Sequence, residues 1–236
     1  MIKAVVFDVD NTLVDFMKMK RAAVEAAVDA MIDAGLDLSP KQATRRIFAI
    51  YDEKGIEFQQ VFDEFLNDTL GHVDYRILAS GILAYRRARE GVMVAYPHVS
   101  LALTRLVRMG LRLGVVSDAP RLQAWMRLVS LSIDNFFDAV VTYDDTGKRK
   151  PDPAPFQKAL ELLAVEPHEA VMVGDWAERD IVGAKEIGMC TVFARYGDSF
   201  GTKHSGADKD INDILELIPF IERVNSGRRS RNRRPR

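Results

Sequence analysis

Five short, almost wholly apolar segments rich in β-branched residues are the feature that most constrains how this chain can fold. Continuous apolar runs of this length are typical of strands buried on both faces, as in parallel sheets covered by helices. Apolar residues spaced three and four apart predict helices between several of these strands, for example over residues 101–109 and 155–163. The pattern predicts an α/β fold with a parallel sheet. The five predicted strands cover residues 2–7, 111–116, 139–142, 170–173 and 191–193.

A long segment without any strand-like run separates the first two predicted strands. One helix is enough to connect neighbouring parallel strands, so the additional helices indicate an inserted domain. We therefore predict a core domain made of residues 1–15 and 93–225 and a helical cap domain over residues 16–92. The predicted cap helices cover residues 17–34, a segment that starts at Ser39-Pro40, residues 58–66 and residues 75–89.

The charge of the chain is distributed unevenly. The formal net charge is -1, but the last nine residues carry six arginines and no acid, so the rest of the chain carries -7. A body this acidic lacks the clustered lysines and arginines that nucleic-acid binding requires, and nucleic acid is not an expected partner. Arginines among serine, asparagine and proline without apolar periodicity predict a disordered tail over residues 226–236.

Cysteine usage and hydropathy indicate the cellular compartment of the protein. The single cysteine, Cys190, excludes an intrachain disulfide and a thiolate metal cluster. The first apolar run is interrupted by Asp8 and Asp10, which argues against a signal peptide, and no run approaches the ~20 apolar residues of a membrane helix. We expect a cytoplasmic protein that does not interact with membranes. The sequence leaves the oligomeric state open, and a homodimer is one alternative.

Acidic and hydroxyl side chains follow three of the predicted strands at the point where each strand ends. In open parallel sheets, ligands bind beyond the carboxyl ends of the strands, near the point where the strand order reverses. A single residue of this kind is often only a turn or helix-cap residue, and this interpretation would be preferred for Ser117 alone. Together they predict a site at one edge of the sheet. The residues are Asp8, Asp10 and Thr12 after the first strand, Ser117 and Asp118 after the second, and Asp175 and Asp180 after the fourth.

The pair Asp8 and Asp10 indicates a bound cation. Two carboxylates ~4 Å apart repel by about 4 kcal/mol at an effective dielectric constant of 20, unless a cation or a proton intervenes. Clusters that offer only oxygen ligands suit Mg²⁺, and the four scattered histidines argue against zinc. The loop over residues 148–153 contains Lys150, which either offsets the charge of the carboxylates and a phosphoryl group or belongs to a solvated basic turn.

Taken together, these residues resemble the haloacid dehalogenase superfamily of phosphohydrolases over residues 2–224. The chain is similar to members with a Rossmann-like α/β core and an α-helical cap inserted between the first and second motifs. In overall likeness it most resembles the archaeal phosphatases assigned to glyceraldehyde 3-phosphate. The four matching motifs are residues 8–13, Ser117, Lys150 before Pro151-Asp152-Pro153, and Gly174-Asp175 with Asp180.

The resemblance implies a role for each matching residue. Asp8 is the expected nucleophile and Asp10 the expected general acid and base, while Thr12, Ser117 and Lys150 bind the phosphoryl group. Mg²⁺ is held by Asp8, the backbone carbonyl of Asp10 and Asp175, and Asp180 supports the metal site or orients Lys150. The expected reaction is hydrolysis of a small phosphorylated metabolite through an aspartyl-phosphate.

Two alternative functions and one departure from the family pattern remain. A phosphomutase of the same superfamily would transfer the phosphoryl group to a second sugar hydroxyl instead of water. A receiver-like phosphoacceptor module also combines acids, a hydroxyl and a lysine, but it carries its aspartate after the third strand. The family often has asparagine after the serine or threonine of the second motif, where this chain has Asp118.

Overall fold

The computed structural model describes residues 1–231, and these contain a six-stranded, wholly parallel sheet. This confirms the predicted α/β class. The strand order is β3-β2-β1-β4-β5-β6. The strands are β1 (Ala4–Phe7), β2 (Arg112–Val116), β3 (Ala139–Val141), β4 (Ala170–Gly174), β5 (Cys190–Ala194) and β6 (Lys209–Ile211).

The chain divides into two compact units, one of Met1–Asp15 with Val94–Arg236 and one of Phe16–Met93. The second unit is helical and contains α1 (Phe16–Asp33), α2 (Pro40–Lys54), α3 (Val61–Leu70) and α4 (Tyr75–Val92). The sheet unit contains α5 (Val99–Arg108), α6 (Arg121–Ser130), α7 (Tyr143–Thr146), α8 (Pro153–Leu163), α9 (Val182–Glu186) and α10 (Leu217–Arg231). Within residues 1–231, no helix has both the length and the apolar character needed to cross a membrane.

The strand order brings the ends of β1 and β4 together. From β1 the chain moves outward through β2 to β3, then returns to the other side of β1 and moves outward again from β4 to β6. The strand order therefore reverses between β1 and β4, which is where open parallel sheets bind ligands. Phe7 pairs with Val115 on one side and with Val173 on the other, so Asp8 leaves the sheet level with the end of β4.

Helix α8 covers one face of the sheet. Pro153 occupies its first turn and the side chain of Asp152 caps it by accepting from the backbone N–H of Ala154 at 2.9 Å. Phe156 and Leu163 are fully buried against β2 and β3. Gly114 in β2 permits this close packing, because a Cβ there would lie 2.9 Å from Leu163 Cδ1.

The helical unit has its own apolar core. Helix α2 begins at Pro40, as the sequence predicted, and it has a capping box in which Ser39 and Gln42 satisfy each other's backbone N–H groups. Helices α1 and α4 lie against each other at Gly81, where a Cβ would clash with the side chain of Met31. The fully buried members of this core include Val24, Ala27, Val28, Met31, Ala43, Ile47 and Leu66.

Two parts of the chain differ from the sequence prediction. Strand β6 was not predicted, because a three-residue edge strand that begins Lys-Asp has no apolar run. Helix α10 continues through residues 226–231, where the sequence predicted the start of a disordered tail. Arginine has a high helix propensity, and elongation adds one hydrogen bond per residue, which favours this continuation. Residues 232–236 of the predicted tail lie outside the described residues.

The turn after β5 packs directly on the loop after β1. Gly197 ends a 3₁₀ turn (Arg195–Gly197), and a Cβ on it would lie 1.6 Å from the backbone oxygen of Asn11. The neighbouring Tyr196 hydroxyl donates to the backbone oxygen of Thr12 at 2.9 Å. Glycine is therefore required at position 197 by contact with backbone, which cannot move aside as a flexible side chain can.

We predict that Gly197→Ala lowers the free energy of unfolding by about 1–3 kcal/mol, the usual cost of overpacking. The matched control is Gly91→Ala in α4, where a Cβ would meet nothing within 4 Å. Alanine there should stabilise the protein by about 0.5–1 kcal/mol through its higher helix propensity. Urea unfolding of the three proteins measures both effects, and equal stability of Gly197→Ala and wild type would contradict this account of the loop.

Candidate active site

Three buried carboxylates converge at the point where the strand order reverses. Asp8 follows β1, Asp175 follows β4, and Asp180 lies in the π-helical turn Ala177–Ile181. Each contributes an oxygen that lies within 4.8 Å of the oxygens of the other two. Their exposed fractions are 8%, 3% and 1%. Three like charges cannot be buried together without a counter-charge, so this cluster requires cations, protons or both.

Lys150 supplies one positive charge to the cluster. Its ammonium Nζ donates to Asp8 Oδ1 and lies 2.7 Å from Asp180 Oδ1, and the side chain is buried. Burial works against the charged form, but the carboxylates of Asp180, Asp8 and Asp118 outweigh it and raise the pKa of Lys150 above its ordinary value. The lysine is therefore held as a cation among the acids and does not belong to a solvated turn.

One lysine does not balance the three acids. Burial raises the pKa of Asp8 from an ordinary value of 3.8 to about 8, with Lys150 opposing the shift and Asp180 and Asp10 adding to it. Burial, followed by the charges of Asp8 and Asp180, likewise raises the pKa of the Asp175 carboxyl well above its ordinary value. Asp8 and Asp175 therefore retain their protons more readily than ordinary aspartates, and a divalent cation would compete with those protons.

Asp180 is held in place by the backbone around it. Its Oδ2 accepts a hydrogen bond from the backbone N–H of Trp176 at 3.0 Å. A Cβ on Gly174 would lie 2.2 Å from the same oxygen, so glycine at this position makes room for the carboxylate. The position of the Asp180 carboxylate therefore depends on glycine at position 174, the residue before Asp175.

Thr12 has a contact other than the phosphate contact that the resemblance implied. Its side chain is fully buried, and its hydroxyl donates to Asp175 Oδ1 at 3.1 Å. The Tyr196 hydroxyl binds the backbone oxygen of Thr12 from the other side. In this structure Thr12 therefore orients a carboxylate of the cluster. The motif spacing carried no signal for this contact, because Thr12 and Asp175 are 163 residues apart.

The second motif lies on the strand next to β1. Ser117 directly follows β2, where its backbone N–H donates to the backbone oxygen of Val141 at 2.9 Å and its hydroxyl oxygen accepts from the backbone N–H of Ala119 at 3.2 Å. The following residue, Asp118, accepts from the backbone N–H of Lys150 at 2.9 Å and from Arg179 Nη1 at 3.1 Å. Asp118 therefore ties the lysine loop to the end of β2, and its second carboxylate oxygen, which an asparagine lacks, pairs with Arg179.

Two aromatic rings and Arg179 form a stack beside Asp175. The guanidinium of Arg179 lies 3.8 Å from the centre of the Trp176 ring. The centres of the Trp176 and Phe200 rings are 4.3 Å apart. Arg179 also pairs with Asp118, so Trp176 supports the group that holds the Lys150 loop. Arg179 carries no signal in the sequence, because a charged residue in a helical turn is usually solvated.

Asp10 lies apart from the three-carboxylate cluster. Its Oδ1 is 3.0 Å from Nε of Arg127, a buried arginine of α6, and its side chain is 27% exposed. Among residues 1–231, the group of carboxylates close enough to share a metal ion consists of Asp8, Asp175 and Asp180 and does not include the Asp10 carboxylate. Arg127 belongs to no motif and could not be identified from the sequence.

Comparisons with known proteins agree with this geometry. The sequence matches the haloacid dehalogenase-like hydrolase family over residues 2–188. The chain belongs to this family. Its relatives include the glyceraldehyde 3-phosphate phosphatases of Methanocaldococcus jannaschii, 34% identical over 95% of this chain and 99% of the relative, and of Methanopyrus kandleri, 38% identical over 91% and 92%. The crystal structure of a HAD phosphatase from Thermococcus onnurineus is 27% identical, with a TM-score of 0.70 over 93% of this chain and 98% of that one.

We predict that, without divalent cations, the free energy of unfolding of this haloacid dehalogenase-like hydrolase falls as pH rises. The cause is ionisation of the Asp8 carboxyl. The Asp8 carboxyl ionises near pH 4 in the unfolded chain but near pH 8 in the folded protein, so unfolding releases a proton between these values. The stability due to the neutral carboxyl is complete below about pH 4 and is lost as pH approaches about 8. Urea unfolding in chelator at pH 5 and pH 8 measures the fall, which should be smaller in Asp8→Asn. An identical fall in both proteins would contradict the prediction.

Proposed function

We propose that the protein is a Mg²⁺-dependent phosphatase that hydrolyses a small phosphomonoester through an aspartyl-phosphate on Asp8. The observation that carries the proposal is the convergence of Asp8, Asp175, Asp180 and Lys150 at the carboxyl ends of β1 and β4. Membership of the haloacid dehalogenase-like hydrolases and the names of the archaeal relatives support the same chemistry.

The donor set fits a hard divalent cation. The clustered carboxylates offer only oxygen, the ligand type that Mg²⁺ prefers. Burial and then the repulsion among the acids raise the pKa values of Asp8 and Asp175, so a divalent cation would stabilise their ionised forms. Asp8 and Asp175, with the backbone carbonyl of Asp10, would hold the ion, and Asp180 would hold it or orient Lys150. When bound, Mg²⁺ would neutralise charge on the phosphoryl oxygens and on the attacking carboxylate.

In the first half-reaction, an Asp8 carboxylate oxygen forms a bond to phosphorus while the bond from phosphorus to the leaving oxygen breaks. Asp10 donates a proton to that leaving oxygen, which departs as an alcohol. The result is an aspartyl-phosphate, which divides one slow displacement into two faster ones. Lys150, which contacts Asp8, favours the ionised carboxylate that this attack needs.

In the second half-reaction, water attacks the phosphorus and the bond between Asp8 and phosphorus breaks. Asp10 accepts the proton of the attacking water, so it serves as general acid and then as general base. Lys150 and Ser117 would bind the phosphoryl oxygens during both steps. Thr12 acts indirectly in this proposal, because its hydroxyl fixes the direction of Asp175.

Replacing the nucleophile tests the proposal. We expect wild-type protein to release inorganic phosphate from small phosphate esters with Mg²⁺ and to stop when chelator is added. Asp8→Asn should lose this activity by several orders of magnitude, because an amide cannot act as the nucleophile. The control is Asp33→Asn, which makes the same chemical change at an exposed position at the end of α1 and should leave activity unchanged.

Acid quenching during turnover distinguishes the mechanism from direct attack by water. Mass spectrometry should find a phosphoryl adduct on the peptide that contains Asp8. Undiminished phosphate release by Asp8→Asn, or full activity in chelator, would remove the proposed nucleophile or the proposed cation. A phosphorylated Asp8 that accumulates without turnover would instead indicate a phosphoacceptor module.

The relatives guide the choice of substrate. Five archaeal relatives that are 33–38% identical to this chain are named glyceraldehyde 3-phosphate phosphatase. We therefore propose a sugar phosphate or a related small metabolite as the substrate, with glyceraldehyde 3-phosphate as the first candidate.

We predict that glyceraldehyde 3-phosphate has the highest kcat/KM in a panel of small phosphate esters assayed by phosphate release. A value about tenfold or more below that of another ester would reject this substrate, while leaving the phosphatase proposal intact. The same assays detect a phosphomutase, which would convert a sugar phosphate to its isomer without releasing stoichiometric phosphate.

A further inference from the structure

Arg127 is a buried arginine that belongs to none of the four motifs. Its exposed fraction is 4%, and its Nε lies 3.0 Å from Asp10 Oδ1. It is carried by α6, the helix that follows the Ser117 loop, and the contact joins this helix to the loop after β1. The mechanism above uses Asp10 but gives Arg127 no role.

The orientation of α6 is unusual for a surface helix. Such helices normally bury their apolar stripe and expose their charges. Here the buried residues are Ala124, Arg127 and Leu128. Four large apolar side chains spaced as one helical stripe are exposed instead. These are Leu122 (68%), Trp125 (39%), Met126 (37%) and Val129 (57%).

Burying a guanidinium group in this way is unfavourable unless an acid compensates it. Asp10 is an acid in contact with this guanidinium, and its side chain is partly open to solvent. Arg127 Nε and Asp10 Oδ1 form a close ion pair, and the planar, rigid guanidinium restricts the direction of the carboxylate more strictly than a flexible lysine ammonium would. A carboxylate that transfers protons must be held at a defined angle to the leaving oxygen.

We propose that Arg127 is a positioning residue that holds the Asp10 carboxylate in the orientation for proton donation to the leaving group. This inference rests on the proposed function, because it assumes that Asp10 is the general acid. Arg127 itself does not touch the substrate in this account. Its effect passes through the direction of the Asp10 carboxylate.

The proposal predicts a specific dependence on the leaving group. An alkyl phosphate releases a strongly basic alkoxide unless the leaving oxygen is protonated, so its cleavage depends on the general acid. The leaving group of p-nitrophenyl phosphate is a stable phenolate, which departs with little protonation. Loss of Asp10 positioning should therefore slow alkyl esters more than the aryl ester. A general distortion of the site would slow both alike.

The test compares kcat/KM for glycerol 3-phosphate and p-nitrophenyl phosphate, because kcat/KM reports the step in which the leaving group departs. Relative to wild type, Arg127→Ala should lose on the order of tenfold to a hundredfold more with the alkyl ester, because the close ion pair with Asp10 is removed. The alkyl-to-aryl ratio of Arg127→Lys should lie between the ratios of wild type and Arg127→Ala, since lysine keeps the charge without the planar donor. The control is Arg121→Ala on the same helix, which removes an exposed pair with Asp145 and should leave the alkyl-to-aryl ratio unchanged.

A double-mutant cycle with Asp10→Asn makes the test decisive. Asp10→Asn alone should lower the alkyl-to-aryl ratio, and adding Arg127→Ala should lower it no further if both act through the same carboxylate. Equal losses for both esters, or a further fall of the ratio in the Asp10→Asn background, would overturn the proposal while the phosphatase function stands. If Arg127→Ala does not fold, the ratio measured for Arg127→Lys decides in the same way. Retained activity in Asp8→Asn would instead refute the proposed function itself.

Discussion

The contact of the Lys150 ammonium with Asp8 and Asp180 is the interaction on which the rest of the site depends. It brings one positive charge to three buried carboxylates and leaves the cluster short of positive charge. Burial, followed by the repulsion among the carboxylates, raises the pKa values of Asp8 and Asp175, and this uncompensated negative charge is the physical reason to expect a divalent cation. Asp118 keeps the lysine loop in reach by binding the backbone N–H of Lys150.

The topology of the sheet makes this arrangement possible. Because β1 lies between β2 and β4, the loops after these three strands end at one edge, although they are far apart in sequence. The loops pack so closely that Gly174 and Gly197 have no room for a Cβ. Stability and function are thus linked here, because the fold must hold mutually repelling carboxylates beside each other with backbone contacts that tolerate little change.

The sequence predicted the strands and the acids for the same reason: both are local patterns. Five of the six strands are apolar runs, and the fully polar start of β6 hides the sixth. Long-range contacts left no local signal. Thr12 contacts Asp175, Asp118 binds the Lys150 loop and Arg127 pairs with Asp10, and none of these pairs is detectable from spacing. The apolar stripe of α6 would even have led to a wrong prediction, because it suggests that Arg127 lies on the exposed face of the helix.

The central claim is that Asp8 and Asp175 bind one divalent cation beside Lys150, with Asp8 free to attack phosphorus. A crystal structure with Mn²⁺ in place of Mg²⁺, located by anomalous scattering, tests it most directly. We predict a single ion bound by oxygens of Asp8 and Asp175 and by the backbone carbonyl of Asp10. An ion bound elsewhere, or a cluster that stays metal-free at saturating Mn²⁺ with Lys150 as its sole counter-charge, would contradict it.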